Sequence, residues 1–222
     1  MFAALERITE KVRFDERGLV PCVMQDARSG EVLTLAYMNE EALRLTLESR
    51  EIHLYSRSRR EIWHKGATSG NVQRVKQLRF DCDGDALVAL VEPVGPACHT
   101  GERSCFYRDL EGSADPAVDA PGVSGEPVPA PFEALPALER TLVQRRRERP
   151  AGSYTVELLT NPKLAAAKVK EESGEVVKAV RSESEERVAE EGADVIYHLA
   201  ALMATRGVSM AEVLAILNAR RR

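Results

Sequence analysis

Hydrophobic and polar residues alternate along much of the first half of the chain, which is the pattern of half-buried β-strands. The stretch LVPCVMQDA, the turn RSGE and the stretch VLTLAYM together predict a β-hairpin. Four further strands are predicted in EIHLYSRS, EIWHKG, NVQRVKQLRFDCD and ALVALVEPV. After the hairpin, Asn39 is a suitable N-cap for a helix over EEALRLTLES. The first half is therefore predicted to be an α+β domain, with mixed but mainly antiparallel strands and one helix.

The second half instead repeats apolar residues at helical spacing, and it predicts four helices over 135–148, 164–183, 185–206 and 210–219. The third helix carries a continuous apolar stripe made of Val188, Gly192, Val195, Ile196, Leu199, Leu202 and Met203. About 90 residues give only a marginal core. We therefore expect an all-α helical bundle that a second copy of the chain completes.

Residues 111–131, EGSADPAVDAPGVSGEPVPAP, separate the two halves. They are rich in Pro, Gly, Ala and Ser and contain no large aromatic residue, which is the composition of a linker. We accordingly predict a first domain over 1–110, a linker over 111–131 and a second domain over 132–222.

Composition narrows the functional classes. The chain is 44% hydrophobic and 30% charged with a net charge of −4, so no general basic surface is available to bind nucleic acid. Glu6 and Glu10 stand where a signal peptide needs an apolar run. The apolar stretch ADVIYHLAALMA is too short to span a bilayer and is interrupted by Asp194 and His198. We expect a cytoplasmic protein with no membrane partner.

The stretch RFDCDGDALVAL places Asp81, Asp83 and Asp85 at alternate positions, with Cys82 between the first two. In an extended strand the three carboxylates would share one face and Cys82 would point to the other. A bound cation would relieve their mutual repulsion. The alternative is an acidic turn around Gly84, because Asp-Gly is a common hairpin signal.

The cysteines suggest a second metal. Cys82 and the two cysteines of ACHTGERSCFY, Cys98 and Cys105, supply three thiolates, which favours zinc over three unrelated buried cysteines. His99 could be a fourth ligand or a general base beside the metal. Cys22 lies in an apolar strand segment and is expected to be a core residue.

The stretch SRSRREIWHKGATSGN combines cations with small hydroxyl residues and glycines, which suits a phosphate-binding site. A solvated hairpin with outward-facing arginines would have the same composition. Trp63 could stack on a base. The candidate substrate- and phosphate-binding residues here are Arg57, Arg59, Trp63, His64, Lys65, Ser69 and Gly70.

Two pairs of carboxylates mark the second half. Glu172 and Glu175 stand three residues apart, as do Glu191 and Asp194, so each pair shares one face of its helix beside apolar residues. Such a position would be costly without a cation, and magnesium suits oxygen ligands best. Ordinary surface charge is the alternative, because Lys168 stands four residues before Glu172. Lys168 is also a candidate substrate-binding residue.

These motifs resemble two enzyme families of histidine biosynthesis. The first half resembles phosphoribosyl-AMP cyclohydrolase in GEVLTLAYMNEEAL, SRSRREIWHKGATSGN, DCDGDALV and CHTGERSCFY. The second half resembles phosphoribosyl-ATP pyrophosphatase in GSYTVELL, KVKEESGEVVKA and EEGADVIYHL. One departure is Gly174 inside the first carboxylate pair, where glycine costs about 1 kcal/mol relative to alanine.

The resemblance implies a bifunctional hydrolase with zinc and magnesium as cofactors. The second domain would hydrolyse phosphoribosyl-ATP to phosphoribosyl-AMP and pyrophosphate, and the first would open the adenine ring of phosphoribosyl-AMP with zinc-activated water. His99 would carry the proton, and Cys82 would be contributed across a homodimer, from the face of its strand opposite the magnesium-binding aspartates. The implied zinc ligands are Cys82, Cys98 and Cys105. The implied magnesium ligands are Asp81, Asp83 and Asp85 in the first domain and Glu172, Glu175, Glu191 and Asp194 in the second.

Two other functions use the same residues. One is a zinc nucleotide deaminase fused to a house-cleaning nucleotide pyrophosphatase, although the deaminase signature of His-x-Glu with Cys-x-x-Cys does not occur. The other is a zinc-stabilised binding module with a helical oligomerisation tail, which would need zinc to fold and would turn over no nucleotide.

Overall fold

The computed structural model describes residues 11–108 and 130–220 of the 222-residue chain. The chain divides into two units, Met1–Val128 and Pro129–Arg222. The predicted linker lies outside the described residues except at its end, where Pro131 begins a short 3-10 turn, Pro131–Glu133. The predicted fold class is confirmed, because the first unit is a mixed sheet with a helix and the second is all-α.

Six strands form one sheet in the first unit: β1 (Val20–Asp26), β2 (Val32–Met38), β3 (His53–Ser56), β4 (Glu61–His64), β5 (Gln73–Phe80) and β6 (Leu87–Pro93). Their order is β4-β3-β2-β1-β6-β5. Every neighbouring pair is antiparallel except β1 and β6, which are parallel. Helix α1 (Glu40–Ser49) begins after Asn39, whose side chain accepts a hydrogen bond from the Ala42 amide, as the sequence predicted.

The acidic run does not continue a strand. β5 ends at Phe80 and β6 begins at Leu87, so the interpretation of one strand with two functional faces is wrong and the acidic turn is correct. The Ala86 amide donates to Asp81 Oδ1 at 3.2 Å, which closes the turn. Gly84 has a φ of +79°, and a Cβ there would lie 2.5 Å from the Lys11 carbonyl oxygen. Aspartate and glycine favour turns over strands, and this explains the break.

The core of the first unit lies on the central strands. Val20, Cys22 and Met24 alternate along β1 with no exposed surface, and Ala89 and Val91 do the same on β6. Burial raises the pKa of the Cys22 thiol to about 12. Cys22 is thus a core residue, as expected, and an inert thiol.

Five helices follow in the second unit: α2 (Ala134–Glu148), α3 (Tyr154–Thr160), α4 (Pro162–Ser182), α5 (Glu185–Thr205) and α6 (Met210–Ala219). Four of them correspond to predicted helices. The sequence missed α3, because seven residues are too few to display a helical period. Ser153 caps this short helix by accepting a hydrogen bond from the Val156 amide at 3.4 Å.

The predicted apolar stripe of α5 is only partly buried in its own chain, although Leu202 packs against the core of the helical unit. Ile196 is 44% exposed, whereas the buried residues of α5 are Glu191, His198, Ala200 and Ala201. The stripe therefore matches the buried face of this helix only in part. Within the described residues no single helix is long and apolar enough to cross a membrane, and α5 and α6, bent by 102°, meet that test only as a pair and only by length and composition.

Candidate functional site

Three carboxylates converge in the turn between β5 and β6. Asp81, Asp83 and Asp85 are exposed, and each offers an oxygen atom within 4.8 Å of the others. The charge of Asp83, followed by desolvation and by Asp81, raises the pKa of Asp85. Desolvation also acts on Asp81, but hydrogen bonds from the Ala86 amide and from Asp85 outweigh it and lower the pKa of Asp81. Such a repelling set of hard oxygen atoms can hold a divalent cation.

Cys98 and Cys105 lie at the two ends of a loop that follows β6. The Cys98 amide donates to the Glu102 carbonyl oxygen at 3.0 Å, and the Cys105 amide donates to the Leu33 carbonyl oxygen on β2 at 2.7 Å. These bonds fold the loop back on itself and attach it to the sheet. The two thiols then lie close enough for each to affect the pKa of the other.

The two thiols differ in acidity. Burial raises the pKa of the Cys98 thiol, but hydrogen bonds from the Thr100 hydroxyl at 3.0 Å, from the backbone and from Cys105 outweigh it, so the pKa lies below its ordinary value. Burial and the neighbouring Cys98 raise the pKa of Cys105, while the positive charge of Lys65 opposes them. Cys98 therefore forms the thiolate, the form that soft metals bind, more readily than Cys105 does.

Cys82 does not join the other two thiols within one chain. It is exposed in the acidic turn, where its sulfur lies 3.8 Å from Asp83 Oδ1. Among residues 11–108, no group of three ligand atoms within 4.8 Å of one another includes a cysteine. His99 is also exposed, with Nδ1 3.9 Å from the Cys98 sulfur.

An ion cluster that the sequence did not predict anchors the cysteine loop. Arg103, between the two cysteines, places Nη2 2.5 Å from Asp26 Oδ2 and Nε 2.8 Å from Glu31 Oε2. Asp26 is 4% exposed and also accepts a hydrogen bond from the Arg28 amide at 2.7 Å. The partners are more than 70 residues apart, so no local spacing pointed to them.

The basic candidates of the first unit lie on and after the β3–β4 hairpin. The Arg57 guanidinium lies 4.0 Å from the centre of the Tyr37 ring, and Arg59 pairs with Glu61 at 3.6 Å. Trp63 is 37% exposed, which leaves its ring accessible. The exposed turn after β4 contains Ser69 and Gly70.

His64 is the last residue of β4, and Lys65 follows it near Cys105 of the cysteine loop. His64 Nε2 lies 2.8 Å from Glu51 Oε2, and its ring stacks on that of His53 with centroids 4.6 Å apart. The positive charge of Lys65 acts to lower the pKa of Cys105. The hairpin therefore brings at least one cation close to the paired thiols.

Three of the four predicted carboxylates of the second unit converge. Glu172 on α4 and Glu191 and Asp194 on α5 offer oxygen atoms within 4.8 Å of one another. Glu175 is not in this group and pairs with Lys178 at 3.0 Å. The cluster arises because α4 and α5 pack along each other with their acidic positions facing the same region.

Cations and a histidine surround the cluster. Lys168 Nζ lies 3.6 Å from Glu172 Oε1 and 2.8 Å from Glu171 Oε1. Arg187 forms an ion pair with Glu191, which is 6% exposed. His198 was not predicted as a site residue although it is 6% exposed and its Nδ1 lies 3.9 Å from Glu172 Oε1. Its signal was its position two helical turns after Glu191, on the same face.

Comparison with known proteins assigns each unit a family. Residues 34–107 match the family model described as phosphoribosyl-AMP cyclohydrolase, and residues 135–221 match the one described as phosphoribosyl-ATP pyrophosphohydrolase.

Several relatives are similar over nearly the whole chain. The histidine biosynthesis bifunctional protein HisIE of Bacillus subtilis is 45% identical over 212 residues, with 95% of each chain covered. The protein of the same name from Thermosynechococcus vestitus is 44% identical over 222 residues, covering 99% of this chain and 98% of the relative. That from Thermus thermophilus is 45% identical over 200 residues, covering 89% and 86%. The similarity therefore spans both units together.

Proposed function

The chain belongs to the family of bifunctional histidine biosynthesis proteins, and from this membership we propose how each unit performs its reaction. It is a hydrolase with phosphoribosyl-AMP cyclohydrolase and phosphoribosyl-ATP pyrophosphohydrolase activities. We assign removal of pyrophosphate from phosphoribosyl-ATP to residues 132–222 and hydrolytic opening of the adenine ring of phosphoribosyl-AMP to residues 1–110. Residues 111–131 would link the two domains.

We assign zinc to the cysteine loop. The paired thiols of Cys98 and Cys105 and the lowered pKa of Cys98 suit a soft metal that binds thiolates. Zinc in such a site would lower the pKa of a nearby water molecule toward about 7. His99, one residue after Cys98 and exposed, is placed to accept a proton there. Lys65 supplies positive charge on the same side.

The third thiolate would come from a second copy of the chain. Cys82 is exposed and separate from the other two thiols, so we propose that Cys98 and Cys105 pair with Cys82 of the partner subunit. Exposed apolar side chains within two residues of these cysteines support a homodimer: Phe80 is 53% exposed and Phe106 is 56% exposed. The acidic turn would then lie near the same interface.

Magnesium suits both carboxylate clusters, because each is a set of converging hard oxygen ligands. We assign one ion to Asp81, Asp83 and Asp85 and another to Glu172, Glu191 and Asp194. Glu175 remains a predicted ligand of the second ion and would have to leave Lys178 to reach it. Magnesium there would neutralise charge on the departing pyrophosphate.

The chain's own cations would orient the substrates. Lys168 lies at the edge of the helical cluster and can contact a phosphate group there.

In the first unit, the phosphate would be contacted by three cations: Arg57, Arg59 and Lys65. Further hydrogen-bonding groups nearby would come from His64, Ser69 and Gly70. The exposed Trp63 ring would stack on the base.

The observation that carries this proposal is that each family match contains its own ligand set, two thiols in one and three carboxylates in the other. The test is to supply the full chain, loaded with zinc and magnesium, with phosphoribosyl-ATP and to identify the products. We expect pyrophosphate and a ring-opened nucleotide without ammonia. Release of ammonia would instead indicate a deaminase, and an unchanged nucleotide would indicate a binding module.

A further inference from the structure

A buried histidine lies beside the carboxylate cluster of the helical unit. The His198 side chain is 7% exposed and packs between the aromatic rings of Tyr154 and Tyr197, whose centroids lie 6.0 and 5.0 Å from its own. Buried polar rings are costly unless their nitrogen atoms are hydrogen-bonded. The bonds that His198 forms therefore show how its ring is held.

Both ring nitrogens of His198 have a partner. Nδ1 lies 2.8 Å from the Asp194 carbonyl oxygen, which can only accept, so Nδ1 carries a proton and donates. Nε2 of the neutral ring is then an acceptor, and the Tyr154 hydroxyl donates to it at 3.2 Å. The tyrosine on α3 thereby fixes both the tautomer and the orientation of the histidine on α5.

The fixed ring joins the two helices that carry the carboxylates. Its protonated Nδ1 contacts the backbone of Asp194 on α5 and lies 3.9 Å from Glu172 Oε1 on α4. We propose that Tyr154 and His198 are positioning residues that hold Glu172 and Asp194 in place for the divalent cation of the pyrophosphohydrolase unit. This inference rests on the proposed magnesium site. Outer partners of this kind typically change metal affinity by about 10–100-fold when removed.

The structure contains a matched pair that separates positioning from packing. Tyr197, next to His198 on α5, also bonds across to α3, with its hydroxyl 2.8 Å from Thr155 Oγ1. Tyr154→Phe and Tyr197→Phe each remove one hydroxyl and one hydrogen bond between α3 and α5. Only the first removes a bond to His198.

The test measures binding of Mn²⁺, as a probe for Mg²⁺, to the zinc-loaded full chain by titration calorimetry without substrate. The binding component that Glu172→Gln abolishes identifies the helical site and separates it from the acidic turn. We expect Tyr154→Phe to weaken the Mn²⁺ affinity of this component about tenfold. Tyr197→Phe should keep the affinity within about twofold of the wild-type value. The two variants should lose thermal stability to a similar extent. Equal effects on affinity would overturn the inference.

Substitutions of the histidine give a second measurement. His198→Asn can keep a donor near the position of Nδ1, whereas His198→Leu removes it. We expect the asparagine variant to bind Mn²⁺ more tightly than the leucine variant, by about tenfold. Equal affinities would argue for a packing role only. If Glu172→Gln abolishes no binding component in the wild-type background, the magnesium assignment itself fails, and this inference fails with it.

Discussion

The two candidate sites are built in different ways. In the helical unit, Glu191 and Asp194 share one face of α5, and one packed neighbour, α4, adds Glu172. In the sheet unit, the candidate ligands lie in loops: Cys82 in a turn, and Cys98 and Cys105 in the segment after β6. The helical set assembles within one chain, whereas among residues 11–108 the three cysteines do not come together. Regular secondary structure thus converts sequence spacing directly into geometry, while loop sites depend on contacts that spacing does not encode.

The largest expected effect on activity comes from removing one ligand from each of the two sites in turn. We expect Glu172→Gln to reduce hydrolysis of phosphoribosyl-ATP by about 100-fold or more, because a catalytic metal supplies several kcal/mol, and to leave ring opening of phosphoribosyl-AMP unchanged. Cys105→Ser should do the reverse. Separate assays of the two steps check this, with Glu171→Gln and Cys22→Ala as controls that should keep both activities. Loss of both steps from either variant in a folded chain would contradict two independent sites.

Mixing experiments test whether the thiol site really needs two chains. Cys82→Ala and Cys98→Ala chains should each fail to open the ring alone. After subunit exchange, half of the dimers would be mixed and each would hold one intact site, so about one quarter of wild-type activity should return. The control is Cys98→Ala mixed with Cys105→Ala, which should recover nothing. No recovery in the first mixture, with exchange verified, would mean that one chain builds the whole site.

The ion cluster at Arg103 tests how the loop site is held. Arg103→Met should lower the free energy of unfolding of the sheet unit by about 2 kcal/mol, because it leaves the buried Asp26 without its cation. This loss is smaller than the roughly 3–5 kcal/mol expected for breaking a fully buried ion pair, because the Arg103 side chain is 39% exposed. Urea unfolding followed by the fluorescence of Trp63, the one tryptophan of the chain, reports this unit.

The matched control for Arg103 is Arg44→Met. Arg44 pairs with Glu41 at 2.6 Å and Glu48 at 2.5 Å on the surface of α1. Exposed pairs of this kind contribute less than about 1 kcal/mol. Equal losses in the two variants would show that the Arg103 cluster is an ordinary surface network.

The smallest effect should come from the helix that carries Glu172. α4 continues through Gly174, and a Cβ added there meets no atom within 4 Å beyond its chain neighbours and the backbone of its own helix. Gly174→Ala should therefore stabilise the helical unit by about 0.5–1 kcal/mol and leave the sheet unit unchanged. Thermal unfolding followed by far-UV circular dichroism measures the shift, with Trp63 fluorescence as the internal control. Destabilisation would show that another chain packs closely against this position.

The elements that sequence predicted well are those with a local cause. The Asn39 cap located α1, and the alternation in LVPCVMQDA and VLTLAYM located the first hairpin. The acidic run was harder, because alternating aspartates fit a strand by period and a turn by composition. Gly84, close to the backbone of Lys11, decides for the turn through a contact between residues far apart in sequence.

The same distinction holds for the site residues. The spacing of Glu191 and Asp194 placed them on one helical face, and the structure brings them to Glu172. Arg103 was missed because its partners precede it by more than 70 residues. His198 was missed because a histidine in an apolar segment looks like a simple interruption of the core. Its role becomes visible only from its hydrogen bond to Tyr154, which lies on a helix that the sequence did not predict.

The parallel pairing of β1 with β6 has a consequence for how the protein is made. It joins Cys22 to Leu87 and neighbouring residues at similar separation, whereas α4 and α5 are consecutive in sequence. Strand pairings between residues far apart in sequence form slowly, because the intervening chain must first lose conformational entropy. During synthesis the sheet cannot close until β6 has left the ribosome, so its edges stay open to other nascent chains for that time. The helical unit, which is translated after the sheet unit, can fold from local contacts soon after it emerges.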